Sequence, residues 1–189
     1  MRIKTTRLEI PDVVLIEHEA FEDERGYFME AYNRAEFRAH GLPDVFVQLN
    51  ESRSGRNVVR GLHFQWDPPM GKLMRVVEGV AFLVAVDIRH GSPTQGRWVA
   101  RTVSSEEKTQ IWAPAGFARG LCALRDGTRV QYLCTGAYNG RAEGGIRWND
   151  PALDIAWPIK NPLLSEKDRN APTLREWLDR PESKAFAVR

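Results

Sequence analysis

Two apolar stretches of the chain are interrupted by side chains that can carry charge. Residues 58–65 read Val-Val-Arg-Gly-Leu-His-Phe-Gln, and after a proline turn residues 71–75 read Gly-Lys-Leu-Met-Arg. The apolar neighbours predict strands, and an unpaired cation in a buried strand is costly, so each needs solvent, a partner or a ligand. His63 and Lys72 are therefore the first candidates for acid/base chemistry, and Arg60 for anion binding.

Most other kinds of chemistry lack the residues they need. The four histidines show neither H-x-H nor H-E-x-x-H spacing, and the two cysteines do not form C-x-x-C, so the sequence predicts no metal site. A phosphate loop, a dinucleotide fingerprint and a G-x-S-x-G nucleophile elbow are all missing. What remains is an acid/base set without a metal, together with arginines that could bind an anion: His63, Lys72, Tyr132, Asp168, Arg25, Arg60 and Arg119.

Composition indicates a globular protein of one domain. The 189 residues include 27 basic and 25 acidic side chains, and a net charge of +2 is too small for the broad basic surface of a nucleic-acid binder. The start of the chain lacks the apolar core of a signal peptide, and no long apolar run predicts a membrane span, so we expect a cytoplasmic protein. Two cysteines argue against a disulfide scaffold.

Short apolar segments separated by Gly, Pro and Asp turns predict a mostly β protein. Asn33 is expected to cap a short helix, with Glu36 at the capping-box position and Gly41 at its end. Closely spaced strands favour an antiparallel sandwich or barrel. The predicted strands are 13–17, 27–32, 45–50, 58–64, 73–77, 80–88, 98–103 and 109–112. Residues 140–145 are expected to form a loop, and residues 174–178 one or two helical turns.

The Asp126-Gly127 pair predicts a two-residue turn, which would fix the register of a β-hairpin. The expected partners are Arg125 with Thr128, Leu121 with Tyr132, and Arg119 with Cys134. By the period-two rule Arg119 and Tyr132 would then share one face of the hairpin. Cys122 would lie on the other face, which argues against a disulfide with Cys134.

A series of short motifs follows in a fixed order along the chain. They are Arg25-Gly26-Tyr27-Phe28-x-Glu30, Gln48-x-Asn50-x-Ser52, Arg60-Gly61-Leu62-His63-Phe64-Gln65, Gly71-Lys72-Leu73, Val86-Asp87-Ile88-Arg89-x-Gly91-Ser92-Pro93-Thr94-x-Gly96, Pro114-x-Gly116-Phe117-Ala118, Trp148-x-Asp150-Pro151 and Leu164-Ser165-x-Lys167-Asp168. Each is weak alone, but the ordered series, from about residue 11 to 170, resembles the dTDP-4-dehydrorhamnose 3,5-epimerase family.

The resemblance implies an all-β fold, a cupin-type antiparallel β jelly roll with a few short helices. It would be one domain over residues 1–189 with a C-terminal extension from about residue 160. The implied activity is epimerisation at C3, C5 or both of a nucleotide-linked 4-keto-6-deoxyhexose, most readily the dTDP sugar of rhamnose and polysaccharide biosynthesis. The resemblance also implies a homodimer that needs neither a metal nor an organic cofactor.

The resemblance assigns roles to individual residues. His63 would be the base, Asp168 its orienting carboxylate, Lys72 the cation at the C4 oxygen and Tyr132 the proton donor. This set suits the chemistry, because the ketone acidifies the hydrogens at C3 and C5 and a cation stabilises the enolate. The residues implied to bind the nucleotide are Arg25, Glu30, Gln48, Asn50, Arg60, Glu143 and Lys167, with Tyr138 stacking on the base.

Two positions depart from the family pattern. Arg119 stands where members usually have a histidine, and Met70 where a glutamine is common. Arginine stays protonated, so Arg119 cannot be a base, but it could stabilise an enolate or bind the sugar or phosphate. These departures leave three other activities open: epimerisation at a single carbon, 3,4-ketoisomerisation on the same fold, and sugar-nucleotide binding without catalysis.

Each assigned role also has a purely structural alternative. His63 could be a hydrogen-bonded strand histidine, Lys72 a charge at a sheet edge, and Tyr132 a core tyrosine. Asp168 could only belong to a helix start capped by a serine, and Arg25 only to a surface ion pair. Strict alternation also puts Arg60 and His63 on opposite faces. A bulge at Gly61 would bring them together, or Arg60 could serve a neighbouring subunit.

Overall fold

Two antiparallel β-sheets face each other in the computed structural model, which describes residues 2–188. The strands are β1 (Ile3–Arg7), β2 (Val14–His18), β3 (Ala20–Asp23), β4 (Gly26–Met29), β5 (Gln48–Ser54), β6 (Val59–Gln65), β7 (Lys72–Glu78), β8 (Val80–Asp87), β9 (Trp98–Ser104), β10 (Thr109–Ala113), β11 (Phe117–Ala123), β12 (Thr128–Cys134) and β13 (Glu143–Gly145). The helices are α1 (Arg34–Ala39), α2 (Glu166–Arg169) and α3 (Leu174–Leu178), with 3₁₀ turns at Ser105–Glu107 and Pro181–Phe186.

One sheet has six strands in the order β1-β2-β10-β7-β12-β5, and the other has five in the order β13-β6-β11-β8-β9. Strands β3 and β4 pair only with each other and form a separate arm. The all-β jelly roll expected from the sequence is confirmed. Strands occur in all eight of the predicted segments, although β4 and β5 are displaced from their predicted bounds by several residues.

Three strands were not predicted: β1, β3 and β13. β1 carries mostly polar residues, and it is held by five residue pairs with β2. β13 lies in the segment that the sequence predicts as a loop, because a three-residue strand with two glycines has no strand signal of its own. Its pairing with β6 places Glu143 opposite Gln65 and Gly145 opposite His63. A strand of this kind is defined by its partner and not by its composition.

Apolar residues form three layers around the two sheets. The first fills the space between the sheets and includes Val76, Ala85 and Val130. The second covers the outer face of the five-stranded sheet with the C-terminal segment, and the third covers the six-stranded sheet with α1. In the second layer the Trp177 ring lies 4.4 Å from that of Phe64. This contact holds the C-terminal segment against the strand that carries His63.

The predicted helix cap at Asn33 is confirmed. The Asn33 side chain accepts hydrogen bonds from the backbone N–H groups of Ala35, at 2.9 Å, and Glu36, at 3.2 Å. The helix ends one residue before His40, and Gly41 follows with a positive φ of 69°. A helix this short gains little from its own hydrogen bonds, so its buried Phe37 stabilises it against the sheet.

The hairpin predicted at Asp126-Gly127 is wrong. β11 and β12 belong to different sheets: Arg119 lies opposite His63 and Ala85, while Tyr132 lies opposite Met74 and Asn50. The turn crosses between the sheets, because the hydroxyl of Thr128 donates to the carbonyl of Arg125 and the strands then find separate partners. The period-two rule still holds within each strand. Arg119 and Tyr132 therefore face the same interior, from opposite sides.

A bulge at Gly61 resolves the parity of Arg60 and His63. Against β11, His63 pairs with Arg119 but Arg60 pairs with Leu121, so β6 holds one more residue than its partner between these pairs. Both Arg60 and His63 consequently face the cavity between the sheets. Gly61 is required here, because its φ is +122° and a Cβ would lie 2.6 Å from the Cα of Gly120.

Replacing Gly61 tests this close approach. Gly61→Ala is expected to lower the free energy of unfolding by about 1–3 kcal/mol more than Gly26→Ala, since the added methyl group meets backbone that cannot move aside. Gly26 is a matched control, because its φ is +120° and a Cβ there has nothing within 4 Å. Urea unfolding measures both, and equal losses would contradict the account.

Candidate active site

A cavity opens between the two sheets. Its outer chamber has a volume of about 520 Å³ and its inner chamber about 140 Å³. His63, from the five-stranded sheet, and Lys72 and Tyr132, from the six-stranded sheet, line both chambers. The acid/base residues predicted from the sequence therefore stand where the two chambers meet.

His63 is held by a carboxylate from a distant part of the chain. Its Nε2 lies 2.5 Å from Oδ1 of the buried Asp168, and the backbone N–H of Gly61 donates to the other carboxylate oxygen at 3.4 Å. Burial alone would raise the pKa of Asp168, but hydrogen bonding and charge from His63 hold it below its usual range. An ionised Asp168 accepts a hydrogen bond from Nε2–H of His63, which leaves the Nδ1 lone pair of His63 available to take up a proton.

The structure also contains the serine-capped helix start that was the structural alternative for Asp168. The side chain of Ser165 accepts a hydrogen bond from the backbone N–H of Asp168 at 3.1 Å, at the start of α2. The cap and the contact with His63 use different groups of Asp168, so one does not exclude the other. The cap orients the first turn of α2 and thereby aims the carboxylate at His63.

Lys72 is a cation without a carboxylate partner. Within residues 2–188 it forms no ion pair, and its Nζ lies 5.1 Å from the centroid of the Tyr132 ring. Burial lowers the pKa of Lys72 to about 8, and the positive charge of Arg119 contributes to the shift. A buried ammonium in such a place is poised to interact with a negative charge that develops on a ligand.

Tyr132 keeps its proton over the physiological range. Burial is the main cause that raises the pKa of its phenol above the ordinary value. The phenol belongs to the sheet opposite the one that carries His63, so base and phenol belong to opposite walls of the cavity. A group that stays protonated on the wall facing a base can act as a proton donor.

Five of the predicted binding residues form one connected rim around the outer chamber. Gln48 donates to Asn50 and accepts from the backbone N–H of Tyr138, at 2.9 and 2.8 Å. The Tyr138 hydroxyl donates to Glu143 at 3.1 Å, and Lys167 pairs with Glu143 at 2.6 Å. The Tyr138 ring is exposed, which leaves it open to stack on a planar ligand.

Arg60 and Arg119 both line the inner chamber, but Arg60 lies near the surface and Arg119 is buried. Arg60 donates to the hydroxyl of Ser54 and the carbonyl of Arg53, near the surface. Arg119 is buried, and its guanidinium donates to the carbonyls of Met70, Ala113 and Pro114. The carbonyls of Ala113 and Pro114 are near Arg119 in the chain, whereas that of Met70 is 49 residues away, and the sequence could not indicate this last contact.

Two predicted binding residues lie away from this cavity. Arg25 is at the turn of the β3–β4 arm and pairs with Asp23, which matches the surface ion-pair alternative. Glu30 follows the arm, and its carbonyl oxygen lies 3.1 Å from Nδ1 of His18. Neither residue lines a chamber that contains His63. The single chain therefore brings together every predicted site residue except this pair.

Gln65 and Ser52 are among the lining residues that were not given a role from the sequence. Gln65 is buried and donates to the carbonyls of Pro68 and Ala137, while it accepts from the backbone N–H of Asn139. It thereby fixes the loop that carries Tyr138. Ser52 lines the inner chamber, and the alternation Gln48-x-Asn50-x-Ser52 already placed it on the face of its two predicted neighbours.

A search of residues 2–188 finds no cluster of three or more His, Cys, Asp or Glu side chains that could hold a metal ion. None of the helices in this part of the chain is long and apolar enough to cross a membrane. Both cysteines are free and buried, as the sequence indicated.

The fold and the cavity define a jelly-roll enzyme that holds an acid/base set between two sheets, and comparisons with known proteins give the family. The sequence pattern of the family dTDP-4-dehydrorhamnose 3,5-epimerase matches residues 7–176. The dTDP-4-dehydrorhamnose 3,5-epimerase of Pseudomonas aeruginosa is 51% identical over 169 residues, which are 88% of this chain and 93% of the relative. The chain belongs to the dTDP-4-dehydrorhamnose 3,5-epimerase family and is an isomerase.

Two solved structures are similar over nearly the whole chain. The dTDP-6-deoxy-D-glucose-3,5-epimerase of Legionella pneumophila, in complex with dTDP-4-keto-L-rhamnose, is 41% identical with a TM-score of 0.89 and covers 92% of this chain and 94% of its own. A 3'-monoepimerase of Streptomyces bikiniensis, in complex with dTDP-quinovose, is 34% identical with a TM-score of 0.86 and covers 100% and 93%. The jelly roll is thus shared by double and single epimerases.

The depressed pKa of Asp168 predicts a pH-dependent contribution to stability. The carboxylate stabilises the fold above the unfolded-state pKa of about 3.9, and this contribution is lost as the pH falls through the lower folded-state value. Asp168→Asn should therefore lower the free energy of unfolding by about 1–3 kcal/mol near pH 7. The difference from the unmodified protein should shrink at more acid pH.

Urea unfolding at a series of pH values from neutral to about pH 3 measures this difference. Asp23→Asn serves as the control, because it removes an exposed carboxylate that pairs with Arg25, and its effect at neutral pH should be smaller. A difference between Asp168→Asn and the unmodified protein that stays constant over the whole pH series would contradict the predicted ionisation.

Proposed function

We propose that this protein epimerises dTDP-4-dehydro-6-deoxy-D-glucose at C3 and C5 to give dTDP-4-dehydro-L-rhamnose. The observation that carries the proposal is the pairing of His63 with Asp168 on one wall of the cavity, opposite Tyr132 on the other, with Lys72 between the chambers. The family and the ligands named for the solved relatives support the choice of a dTDP-linked 4-keto sugar.

In the proposed mechanism, His63 removes a hydrogen next to the ketone. The Nδ1 lone pair takes the proton from C3 or C5, and the electron pair of the C–H bond moves into the carbonyl to form an enolate. Asp168 stabilises the resulting imidazolium through the proton on Nε2. Lys72 stabilises the negative oxygen at C4, where an ammonium without another counterion is most effective.

Tyr132 then completes the inversion from the other face of the sugar ring. Its phenol donates a proton to the carbon, the C4 carbonyl forms again, and the configuration at that carbon is reversed. The phenolate and the imidazolium return to their starting forms by proton exchange with solvent. Each step uses side chains of this chain, and we propose that the reaction requires neither a metal nor an organic cofactor.

The rim residues are proposed to bind the nucleotide. Gln48, Asn50 and Glu143 supply fixed hydrogen-bonding groups, and Tyr138 an exposed ring for the base. Lys167 and Arg60 supply positive charge for the diphosphate, while Arg119 lies deeper, near the sugar. Two free cysteines suit the reducing cytoplasm, where we propose that the reaction occurs.

Heavy water tests the proposed reaction directly. Incubation with dTDP-4-dehydro-6-deoxy-D-glucose is expected to introduce deuterium at both C3 and C5, because protons returned by Tyr132 come from solvent. Proton and deuterium NMR of the product read each carbon separately. Label at C3 alone would favour a 3-epimerase, as in the Streptomyces relative. A moved carbonyl would indicate a ketoisomerase, and binding without any exchange would contradict an enzymatic function.

A histidine substitution tests the base. His63→Ala is expected to reduce deuterium exchange by about 10²- to 10⁴-fold, which is the usual contribution of a general base. His40→Ala is the matched control, because His40 is an exposed residue at the C-terminal cap of α1 and does not line the cavity. This variant should retain full activity. Comparable exchange in both variants would remove His63 from the mechanism.

Removing the phenolic proton tests Tyr132. Tyr132→Phe is expected to retain exchange better than product formation, because His63 can still remove and return a proton on its own face of the sugar. Product formation should fall by about 10²-fold or more. Exchange rates and product yield, measured by NMR in the same reaction, give the ratio. Equal loss of both activities would contradict a role restricted to proton donation.

We also propose that the protein is a homodimer in which the β3–β4 arm carries Arg25 and Glu30 to the cavity of the partner subunit. Support comes from the arm itself, which pairs with neither large sheet and exposes the rings of Phe21, Tyr27 and Phe28. Exposed aromatic clusters of this kind mark protein interfaces. The arm would thereby complete the binding site that a single chain leaves without these two residues.

Mixing two inactive variants tests this arrangement. If Arg25 acts across the interface, a mixed dimer of His63→Ala and Arg25→Ala chains contains one site with both native residues. Refolding the variants together should then restore about a quarter of the unmodified activity, because half of the dimers are mixed and each has one complete site. Light scattering gives the mass of the assembly. The absence of any restored activity would contradict sharing of the site.

A further inference from the structure

Arg119 is a buried cation, and no carboxylate of residues 2–188 forms an ion pair with it. Its Nη1 donates to the carbonyls of Ala113 and Pro114, at 3.3 and 3.1 Å, and its Nη2 to that of Met70 at 3.0 Å. Its Nε is buried and has no hydrogen-bond partner. Carbonyl oxygens hold the guanidinium in place but do not neutralise its positive charge. A charge in the protein interior, where screening by water is weak, acts strongly on its neighbours.

Lys72 shares the inner chamber with Arg119. No carboxylate within residues 2–188 forms an ion pair with either residue, and Glu143 is occupied by Lys167 at 2.6 Å. The charged and titratable groups around Lys72 come from several elements: Glu51, Arg60, His63, Arg119, Tyr132, Cys134, Glu143 and Lys167. Arg60 also lines the inner chamber, but it is exposed and donates to Ser54 and the carbonyl of Arg53 near the surface, so Arg119 is the buried cation that shares the chamber with Lys72.

We propose that Arg119 is a positioning residue of the epimerase reaction, which acts on the substrate ketone through Lys72 by keeping a second fixed positive charge in the same chamber. The inference rests on the proposed function for the identity of the ketone. It explains what an arginine does where other family members usually have a histidine. A histidine there would be largely neutral above pH 7, whereas an arginine stays charged.

The second charge has a defined effect on proton transfer. It disfavours the protonated form of Lys72, so the ammonium becomes a stronger acid toward the C4 oxygen. Lys72 can then pass a proton to that oxygen as His63 takes one from carbon, giving a neutral enol, and it recovers the proton when the carbonyl forms again. The proton count is balanced, because each proton that Lys72 gives to the oxygen returns to it in the second half of the reaction.

The lowered pKa of Lys72 sets an upper pH limit for catalysis. Burial is the main cause and the charge of Arg119 adds to it; together they lower the pKa of Lys72 to about 8, so its role as a cation or acid is expected to end above that pH. Burial raises the pKa values of Tyr132 and Cys134, so neither group loses its proton at this point. The value of kcat should therefore fall above about pH 8, with Lys72 as the titrating group.

Competitive labelling measures the titration of Lys72 without any substrate. The protein is treated with a trace of acetic anhydride at a series of pH values, and peptide mass spectrometry gives the midpoint for Lys72. The expected midpoint is close to pH 8 in the unmodified protein. Arg119→Gln and Arg119→His should each raise it by about one unit or more. Arg101→Gln, which removes an arginine paired with Glu9 on the outside, should leave it unchanged.

Kinetics provides the second measurement. In both Arg119 variants the alkaline limb of kcat should move upward together with the labelling midpoint, with a smaller change in KM, because Lys72 acts on the transition state. If Arg119 had only a structural role, its replacement would lower activity without moving the alkaline limb of the pH profile of kcat. If neither variant folds, the labelling titration of Lys72 in the unmodified protein is the test. A midpoint near the ordinary lysine pKa of about 10.4 overturns the inference. An active enzyme with such a midpoint refutes only this inference, whereas absent exchange refutes the proposed function.

Discussion

The hydrogen bond between His63 and Asp168 joins two parts of the chain that are 105 residues apart. One end lies on β6, and the other in α2, whose first turn is oriented by Ser165. The C-terminal segment reaches this position because Leu163 pairs with Val58 and Trp177 packs on Phe64. The orientation of His63, the proposed base, therefore depends on docking of the C-terminal segment.

The second constraint is the separation of β11 and β12 into different sheets. Because each sheet supplies one wall, His63 and Arg119 face Lys72 and Tyr132 across the cavity. A sandwich suits an inversion at carbon, since proton removal and proton return must occur on opposite faces of a sugar ring. A hairpin carrying both groups on one surface could not surround the sugar in this way.

Much of the fold follows from local signals in the sequence. The Asn33 cap, the apolar strand segments and the bulge at Gly61 were predictable, because each depends on residues close in the chain. The turn at Asp126-Gly127 was misread, since turn chemistry fixes the bend but not the sheet that each strand joins. β13 and the contact of Arg119 with the carbonyl of Met70 could not be predicted either, because in both cases the partner is backbone that is remote in the sequence.

The candidate site was predictable to a similar extent. The ordered motifs indicated the residues that line the cavity, but the way in which Gln65 fixes the Tyr138 loop depends on packing. Arg25 and Glu30 lie outside the cavity of the single chain, and the proposed dimer would bring them to the cavity of the partner subunit. Residue types thus indicate the chemistry, whereas tertiary pairing decides which groups face one another.

A crystal structure with dTDP-4-dehydro-L-rhamnose would show whether a 4-keto sugar binds between the two walls. We expect the sugar ring between Nδ1 of His63 and the phenol of Tyr132, which would lie on opposite faces of the sugar, with the C4 oxygen directed at Nζ of Lys72. A sugar bound outside the cavity, or one with His63 and Tyr132 on the same face, would contradict this expectation.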